Sequence, residues 1–340
     1  MTDPREIIKG LWTFPIALPD NPLRCLNCYA VKDPSGGREL LVDTGFYRPE
    51  CLDDLMHGIE FLHLRPENTD VFLTHLHPDH VGNAAYLERL GFSIIMGALD
   101  YDLHSMGPDV RWAENMSLLC AEGLSPDMFN RMRENDSSVV YTSGMFKARK
   151  VYNGDRLQYG DFSFECMLTP GHSPGHMCLY EQDSGVLLLG DHVLFDITPN
   201  ICAWTCMYDS LGTYMESLRR MRNIDVKLAL PAHRANDTCD LAGRIDALLA
   251  HHERRLDDAC RIIAENPGLN AYEIAQHMRW KVHAGNWLEF PPNQQFFAHS
   301  ETVAHLDRLV REGRIERRSD GVGINRYYVR KEAGKGDQNR

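Results

Sequence analysis

The sequence predicts an α/β protein with a small helical appendage, and three observations carry that prediction. Between residues 71 and 96 a short apolar run, an amphipathic stretch and a second apolar run read as strand, helix and strand. Apolar runs of strand length return between residues 162 and 231, and three of them lead directly into a phrase containing His or Asp. From residue 241 the strand signal gives way to helices, until two short strands pair around Asp320-Gly321 near the end. At 340 residues the chain can bury a sizeable core, and its length favours two domains. The expected division is 1–240 and 241–330, with 331–340 a polar, frayed tail.

Each element has its own warrant. Residues 28–45 read as two strands, C-Y-A-V-K and R-E-L-L-V-D-T-G, around the turn D-P-S-G-G, whose residues supply bends and positive φ. Val71-Phe72-Leu73 is a short strand that delivers a run of histidines into the loop after it. Gly82 to Leu90 is helical, Gly91 stops it, and F-S-I-I-M is the next strand. Residues 99–135 then change character, with Met106, Trp112, Met116, Met128, Phe129 and Met132 in helix-like pieces. The expectation is an inserted helical pair that packs in the ordinary way, with an adaptable lid over an apolar group as the functional alternative. The later strands are F-S-F-E-C-M-L-T-P, M-C-L-Y-E-Q, V-L-L-L-G-D and V-K-L-A-L-P. Beyond them come a charged helix from Leu241 to about Glu265, two further helices and the closing hairpin, the order of a winged helix.

Composition narrows the function classes. The chain is 43% hydrophobic and 25% charged, with no apolar run near the roughly 20 residues of a membrane helix. Its start lacks the apolar stretch of a secretory signal, so a cytoplasmic protein with reduced cysteines is expected. Cys25 and Cys28 form a lone C-x-x-C on a strand-like segment, which reads as structural thiols. Residues 241–340 carry 16 Lys/Arg and 14 Asp/Glu, whereas 1–240 carry 20 and 34. A first domain with a net charge of −14 should repel a polyanion, which counts against nucleic acid as the substrate.

The chemistry concentrates in seven residues: His75, His77, Asp79 and His80 in T-H-L-H-P-D-H, then His172, Asp191 and His233. A single histidine among the 16 is ordinarily structural; H-x-H-x-D-H with three more such residues after strands is specific. Imidazoles and carboxylates are ligands for divalent transition metals, and seven suit two ions better than one. His75 and His77, two apart on extended chain, can face one ion, and His172 on a Gly-flanked loop completes its set. Pro78 turns Asp79 and His80 toward a second ion, which His233 completes, and Asp191 can bridge the pair. Two ions about 3.5–4 Å apart activate a bridging hydroxide, so Asp79 and Asp191 are catalytic as ligands that hold it. Zinc is the first choice of metal, and the same ligands accept iron or manganese.

The order D-T-G, T-H-L-H-P-D-H, T-P-G-H, G-D-H and P-A-H over about residues 20–238 resembles the metallo-β-lactamase superfamily. The resemblance is strongest to its glyoxalase II and lactamase-β-2-like branch, whose winged-helix appendage the C-terminal module resembles. It implies an αββα sandwich with the site along one edge. It places His75, His77 and His172 on one metal and Asp79, His80 and His233 on the other. Asp191 bridges, and Asp43 either supports the ligands from behind or is structural. His77 matches the hydrolases rather than the flavodiiron oxidoreductases, which carry Glu there. No counterpart of glyoxalase II's basic glutathione-binding segment is present.

His176 and His192 flank the ligands and read equally as hydrogen-bonding supports or as plain structural residues. Lys147, Arg149 and Lys150 read as a solvated charge run. Arg314, Arg317, Arg318 and Arg326 on the C-terminal hairpin could meet nucleic acid, but a module of net charge +2 lacks the basic footprint. Packing, homodimer formation or closing of the site is the favoured role for that module. The expected function is a dinuclear hydrolase acting on the ester or thioester carbonyl of a small molecule, an acyl-CoA first, with no membrane partner. The alternatives are a metal-dependent endoribonuclease acting on single-stranded RNA and a mononuclear-iron sulfur dioxygenase.

Overall fold

The computed structural model describes residues 1–134, 141–235, 240–281 and 284–330; the expected tail 331–340 lies outside them. The chain divides into two compact units, one of residues 1–111, 136–199 and 213–248, the other of 112–135, 200–212 and 249–340.

The first unit holds two sheets. β1 (Arg5–Ile8), β2 (Leu11–Ala17), β3 (Cys25–Val31), β4 (Glu39–Val42), β5 (Thr69–Leu73), β6 (Ser93–Gly97) and β7 (Arg149–Val151) lie side by side in chain order. β1 to β4 pair antiparallel, and β4 to β7 run parallel. The second sheet takes β8 (Arg156–Tyr159), β9 (Phe162–Leu168), β10 (Met177–Glu181), β11 (Val186–Gly190) and β12 (Leu228–Pro231) in the order 12-11-10-9-8. Its β11 and β12 are parallel, and the other pairs are antiparallel.

Alternation explains which face each strand buries. In F-S-F-E-C of β9, Phe162, Phe164 and Cys166 point inward while Ser163 and Glu165 do not. These side chains and Leu157, Leu179 and Leu188 meet Leu11, Val31, Leu40, Phe72 and Ile95 of the first sheet in one continuous core. β5 is buried on every residue, as a central parallel strand covered on both faces must be. Helix Pro49–Phe61 covers the outer face at β2, where Gly58 allows close approach: a Cβ there would lie 2.3 Å from the Phe14 ring. The two sheets thus share one core, the α/β sandwich that was expected.

The sequence reading missed several elements: β1, β2, helix Pro49–Phe61 and helix Ser210–Met221. The loop expected after β5 contains a short helix, Pro78–Val81, and the following helix runs over Ala84–Arg89. The charged helix Leu241–Glu265 and the hairpin of β13 (Ile315–Ser319) and β14 (Asn325–Val329) occur where expected. Cys28 is buried, and its thiol donates to the Val42 carbonyl at 3.3 Å. None of the described helices is long and apolar enough to cross a membrane.

In the second unit, helices Ala271–His277 and Pro292–Arg311 precede the hairpin. Residues 112–135 of the expected insertion join this unit, for reasons visible in their packing. Trp112 lies edge-on to Phe129 at 5.0 Å and tilts against Phe296 at 5.6 Å. The buried Glu122 carboxylate accepts hydrogen bonds from Tyr327 at 2.6 Å and Asn325 at 2.7 Å. Its carbonyl takes the Nε2–H of His299 at 3.3 Å.

Burial holds the His299 pKa down to about 4. The folded chain keeps this ring neutral while an unfolded chain protonates it near pH 6.5, so its contribution is intact above 6.5 and lost as pH falls toward 4. Replacing it by Gln, which keeps a donor, should remove that loss. Across this window the stability difference between His299→Gln and the parent should move in the variant's favour by about 1.4 kcal/mol per pH unit. Urea titrations at several pH values measure this, and a pH-independent difference would show that the ring is not held neutral.

Candidate metal centre

The seven candidate ligands arrive from four strand ends. β5 ends at Leu73 and leads through Thr74 into His75, His77, Asp79 and His80. The chain after β9 carries His172, β11 leads into Asp191, and β12 leads into His233. Ligands at the ends of packed strands inherit the rigidity of the sheets. Two glycines allow the close approach. Gly190 has φ +51°, and a Cβ there would lie 2.6 Å from His176 Nε2. Gly171 has φ +140°, and a Cβ would lie 2.3 Å from that of Tyr214.

The structure brings all seven together in three overlapping groups: His75–His77–His172, His75–His80–Asp191 and Asp79–His80–His233. His77 is partly accessible and the other six are buried. In the first group, His75 Nε2 lies 2.9 Å from His77 Nδ1 and 3.2 Å from His172 Nε2. Across the others, Asp191 lies 3.5 Å from His172, 3.7 Å from His80 and 3.4 Å from His233. Asp79 lies 3.3 Å from His233 Nε2. Ligand atoms at 2.0–2.1 Å around one tetrahedral ion stand about 3.3 Å apart, so these spacings fit ligands that share ions.

Orientation is set from behind. Asp43, at φ +64°, accepts the Thr74 N–H at 2.8 Å, the Thr74 hydroxyl at 2.9 Å and the Nδ1–H of His80 at 2.8 Å. The Thr74 oxygen lies 3.0 Å from His75 Nδ1. The Cys25 carbonyl takes the Nδ1–H of His233 at 2.8 Å. With each Nδ1 engaged, the inward Nε2 of His80 and of His233 and the Oδ1 of Asp191 are buried with no hydrogen-bond partner. Buried polar atoms are almost always satisfied, so three that converge on one place call for a cation.

Electrostatics agrees. Burial, followed by repulsion from neighbouring imidazoles, keeps His75 well below its usual pKa and His77 at about 3. Both rings are neutral, the form that ligates. Burial opposes charge on the carboxylates as well, but the facing histidines outweigh it. Asp79 is drawn down to about 2, with His80 and His233 the causes, and Asp191 is drawn well below the ordinary range. Burial disfavours charge on His80, but Asp43, Asp79 and Asp191 outweigh it and raise its pKa well above normal. The first group offers neutral nitrogen donors, and the other attracts positive charge.

The remaining candidates divide. His176 is within hydrogen-bond reach of the Thr169 hydroxyl through Nδ1 (2.8 Å) and accepts the Asp191 N–H at Nε2 (3.1 Å), so it supports the carboxylate's backbone. His192 is buried and packs edge-on against Tyr214 at 5.4 Å. Lys147, Arg149 and Lys150 are exposed, and Lys150 pairs with Asp102.

Two buried residues escaped the sequence reading. Asn83 Nδ2 donates to the carbonyls of Thr44 at 2.7 Å and Phe46 at 2.9 Å, which ties the loop after Asp43 to the histidine run. Asp100 accepts the Leu76 N–H at 3.0 Å, the Ser173 hydroxyl at 2.6 Å and the Gly175 N–H at 2.5 Å. Burial outweighs these bonds and raises its carboxyl to about 6. The one signal for either was a polar residue beside a helix start, which ordinarily reads as a cap.

The chain matches models of known families over both of its regions. Residues 26–233 match the metallo-beta-lactamase superfamily, and residues 289–331 match the metallo-beta-lactamase-like C-terminal domain. It is 27% identical over 246 residues to an atrochrysone carboxyl ACP thioesterase of Aspergillus novofumigatus, covering 72% of this chain and 59% of that protein. The chain thus spans about three-fifths of the length of that curated relative. A probable metallo-hydrolase of Bacillus subtilis is 23% identical, over 84% of this chain and 88% of its own. Among solved structures, a beta-lactamase domain protein from Burkholderia ambifaria superposes with a TM-score of 0.82 at 26% identity, covering 96% of this chain and 94% of that one. A metallo-beta-lactamase family protein from Thermus thermophilus gives 0.77 at 25% identity, over 96% and 100%. With β4 to β12 and all seven clustered His and Asp residues inside the matched region, the chain belongs to the metallo-β-lactamase superfamily.

Proposed function

We propose that this chain is a metal-dependent thioesterase that hydrolyses an acyl thioester carried on coenzyme A or on a carrier protein. The observation that carries the hydrolase part is the set of three overlapping ligand groups, in which Asp191 lies within 3.7 Å of His80, His172 and His233 at once. The thioester part is supported by relatives named as carrier-protein thioesterases.

In this reading His75, His77 and His172 would hold one divalent ion and Asp79, His80 and His233 a second, with Asp191 within reach of both groups. Zinc is the first choice, with iron or manganese the alternatives that the same donors accept. The ions supply a water nucleophile ionised near neutral pH and a counter-charge for the carbonyl oxygen. The protein's part is orientation and charge. The facing histidines keep Asp79 and Asp191 ionised, so both would offer the ions negative charge. Asp43, Thr74, His176 and the Cys25 carbonyl fix the ligand rings and the Asp191 backbone, so that little reorganisation accompanies the reaction.

The direct test is thiol release from a panel of acyl-CoA and acyl-carrier thioesters, with metal content measured on the same sample. Thiol release that a chelator abolishes and zinc restores is the expected result. Metal-loaded protein that releases no thiol would overturn the thioesterase reading; RNA cleavage, or oxygen consumption with one iron per chain, would identify which other chemistry applies.

Single substitutions test the residue roles. Asp191→Asn keeps the side chain's size but removes its charge, and should lower kcat by at least about two orders of magnitude while bound metal falls. His77→Ala should act similarly. A variant with its full metal complement and the parent's kcat would remove that residue from the centre.

A further inference from the structure

Asp100 lies in the first turn of helix Ala98–Ser105, which follows β6 directly, and its side chain is fully buried. Burying a carboxylate is costly unless every lone pair it turns inward is used. Here Oδ2 takes the Leu76 N–H and the Ser173 hydroxyl, and Oδ1 takes the Gly175 N–H. Leu76 stands between His75 and His77, and Ser173 follows His172 directly. One carboxylate therefore grips two loops that are about a hundred residues apart in sequence and meet at the His75–His77–His172 group.

The backbone is shaped for this grip. A Cβ on Gly175 would lie 2.3 Å from the Asp100 nitrogen, and a Cβ on Gly97 would lie 2.6 Å from the Gly175 carbonyl oxygen. Glycine at both positions lets the helix start press against the loop. The Asp79–His80–His233 group has other supports: Asp43 behind His80 and the Cys25 carbonyl behind His233. No hydrogen bond among the described residues links Asp100 to that second group.

We propose that Asp100 is a positioning residue that clasps the two loops bearing His75, His77 and His172, and so sets the metal affinity of that group alone. The inference rests on the reading of these histidines as ligands. In Asp100→Asn one of the three N–H or O–H donors must face an amide N–H instead of an oxygen, which loosens one loop against the other.

Calorimetric titration of the metal-free full chain with zinc tests it, with circular dichroism and the metal-free Tm as controls on folding. Asp100→Asn should weaken one zinc-binding step by about 10–100-fold, the usual effect of losing a support behind a ligand, and leave the other step unchanged. Asp43→Asn, which touches His80 directly and His75 through Thr74, should by contrast weaken both steps. Ser173→Ala removes one donor and keeps the carboxylate, and should weaken the same step as Asp100→Asn by a smaller factor. It carries the test if Asp100→Asn fails to fold. A merely structural role would lower the metal-free Tm and shift both steps together, and that result overturns the proposal, as does an Asp100→Asn titration identical to the parent's. A parent chain that takes up no zinc would instead overturn the ligand reading, and this inference with it.

Discussion

Asp43 is the point on which the centre depends. It sits at the end of β4 in a left-handed conformation that Asp tolerates better than most residues. From there its carboxylate reaches across to the end of β5, fixes both polar groups of Thr74 and receives the His80 ring. The register of two parallel strands is thereby converted into the direction of an imidazole. If β4 slipped against β5 by one residue, Asp43 would face the other side of the sheet and the ring would lose its support. The core between the sheets and the glycines at the strand ends hold that register.

The centre is also divided electrostatically. One side is built from imidazoles that exclude protons from one another, and the other from carboxylates that draw positive charge onto His80 and His233. In the proposed two-ion reading, such a division would let the two ligand groups differ in affinity and in metal preference, although the His75–His80–Asp191 group overlaps both.

Much of this was legible in the sequence because the decisive signals are local. H-x-H-x-D-H packs four candidate ligands into six residues, and each later one follows a strand that its own apolar run announces. The charged helix from Leu241 and the turn at Asp320 are equally local. Other features were not legible because they depend on distant partners. Asp100 lies in an ordinary G-A-L-D-Y, and what marks it out is contact with Leu76, Ser173 and Gly175. Trp112 and Glu122 read as parts of an insertion in the first domain, yet they pack with residues beyond 268. Helix Pro49–Phe61 was readable, with Cys51, Leu55 and Ile59 at four-residue spacing on its buried face.

The scatter of the cluster along the chain has a consequence for biogenesis. During synthesis the histidine run around residue 75 emerges long before residue 172, and residue 233 emerges last. The first ligand group is incomplete until residue 172 has emerged, and the second until residue 233 has. A nascent chain therefore offers only a loose set of imidazoles and carboxylates, a poor competitor for scarce ions. If the cluster holds metal as proposed, tight loading would be deferred to the finished sandwich, and the pool that surrounds the folded molecule would settle which ion is bound.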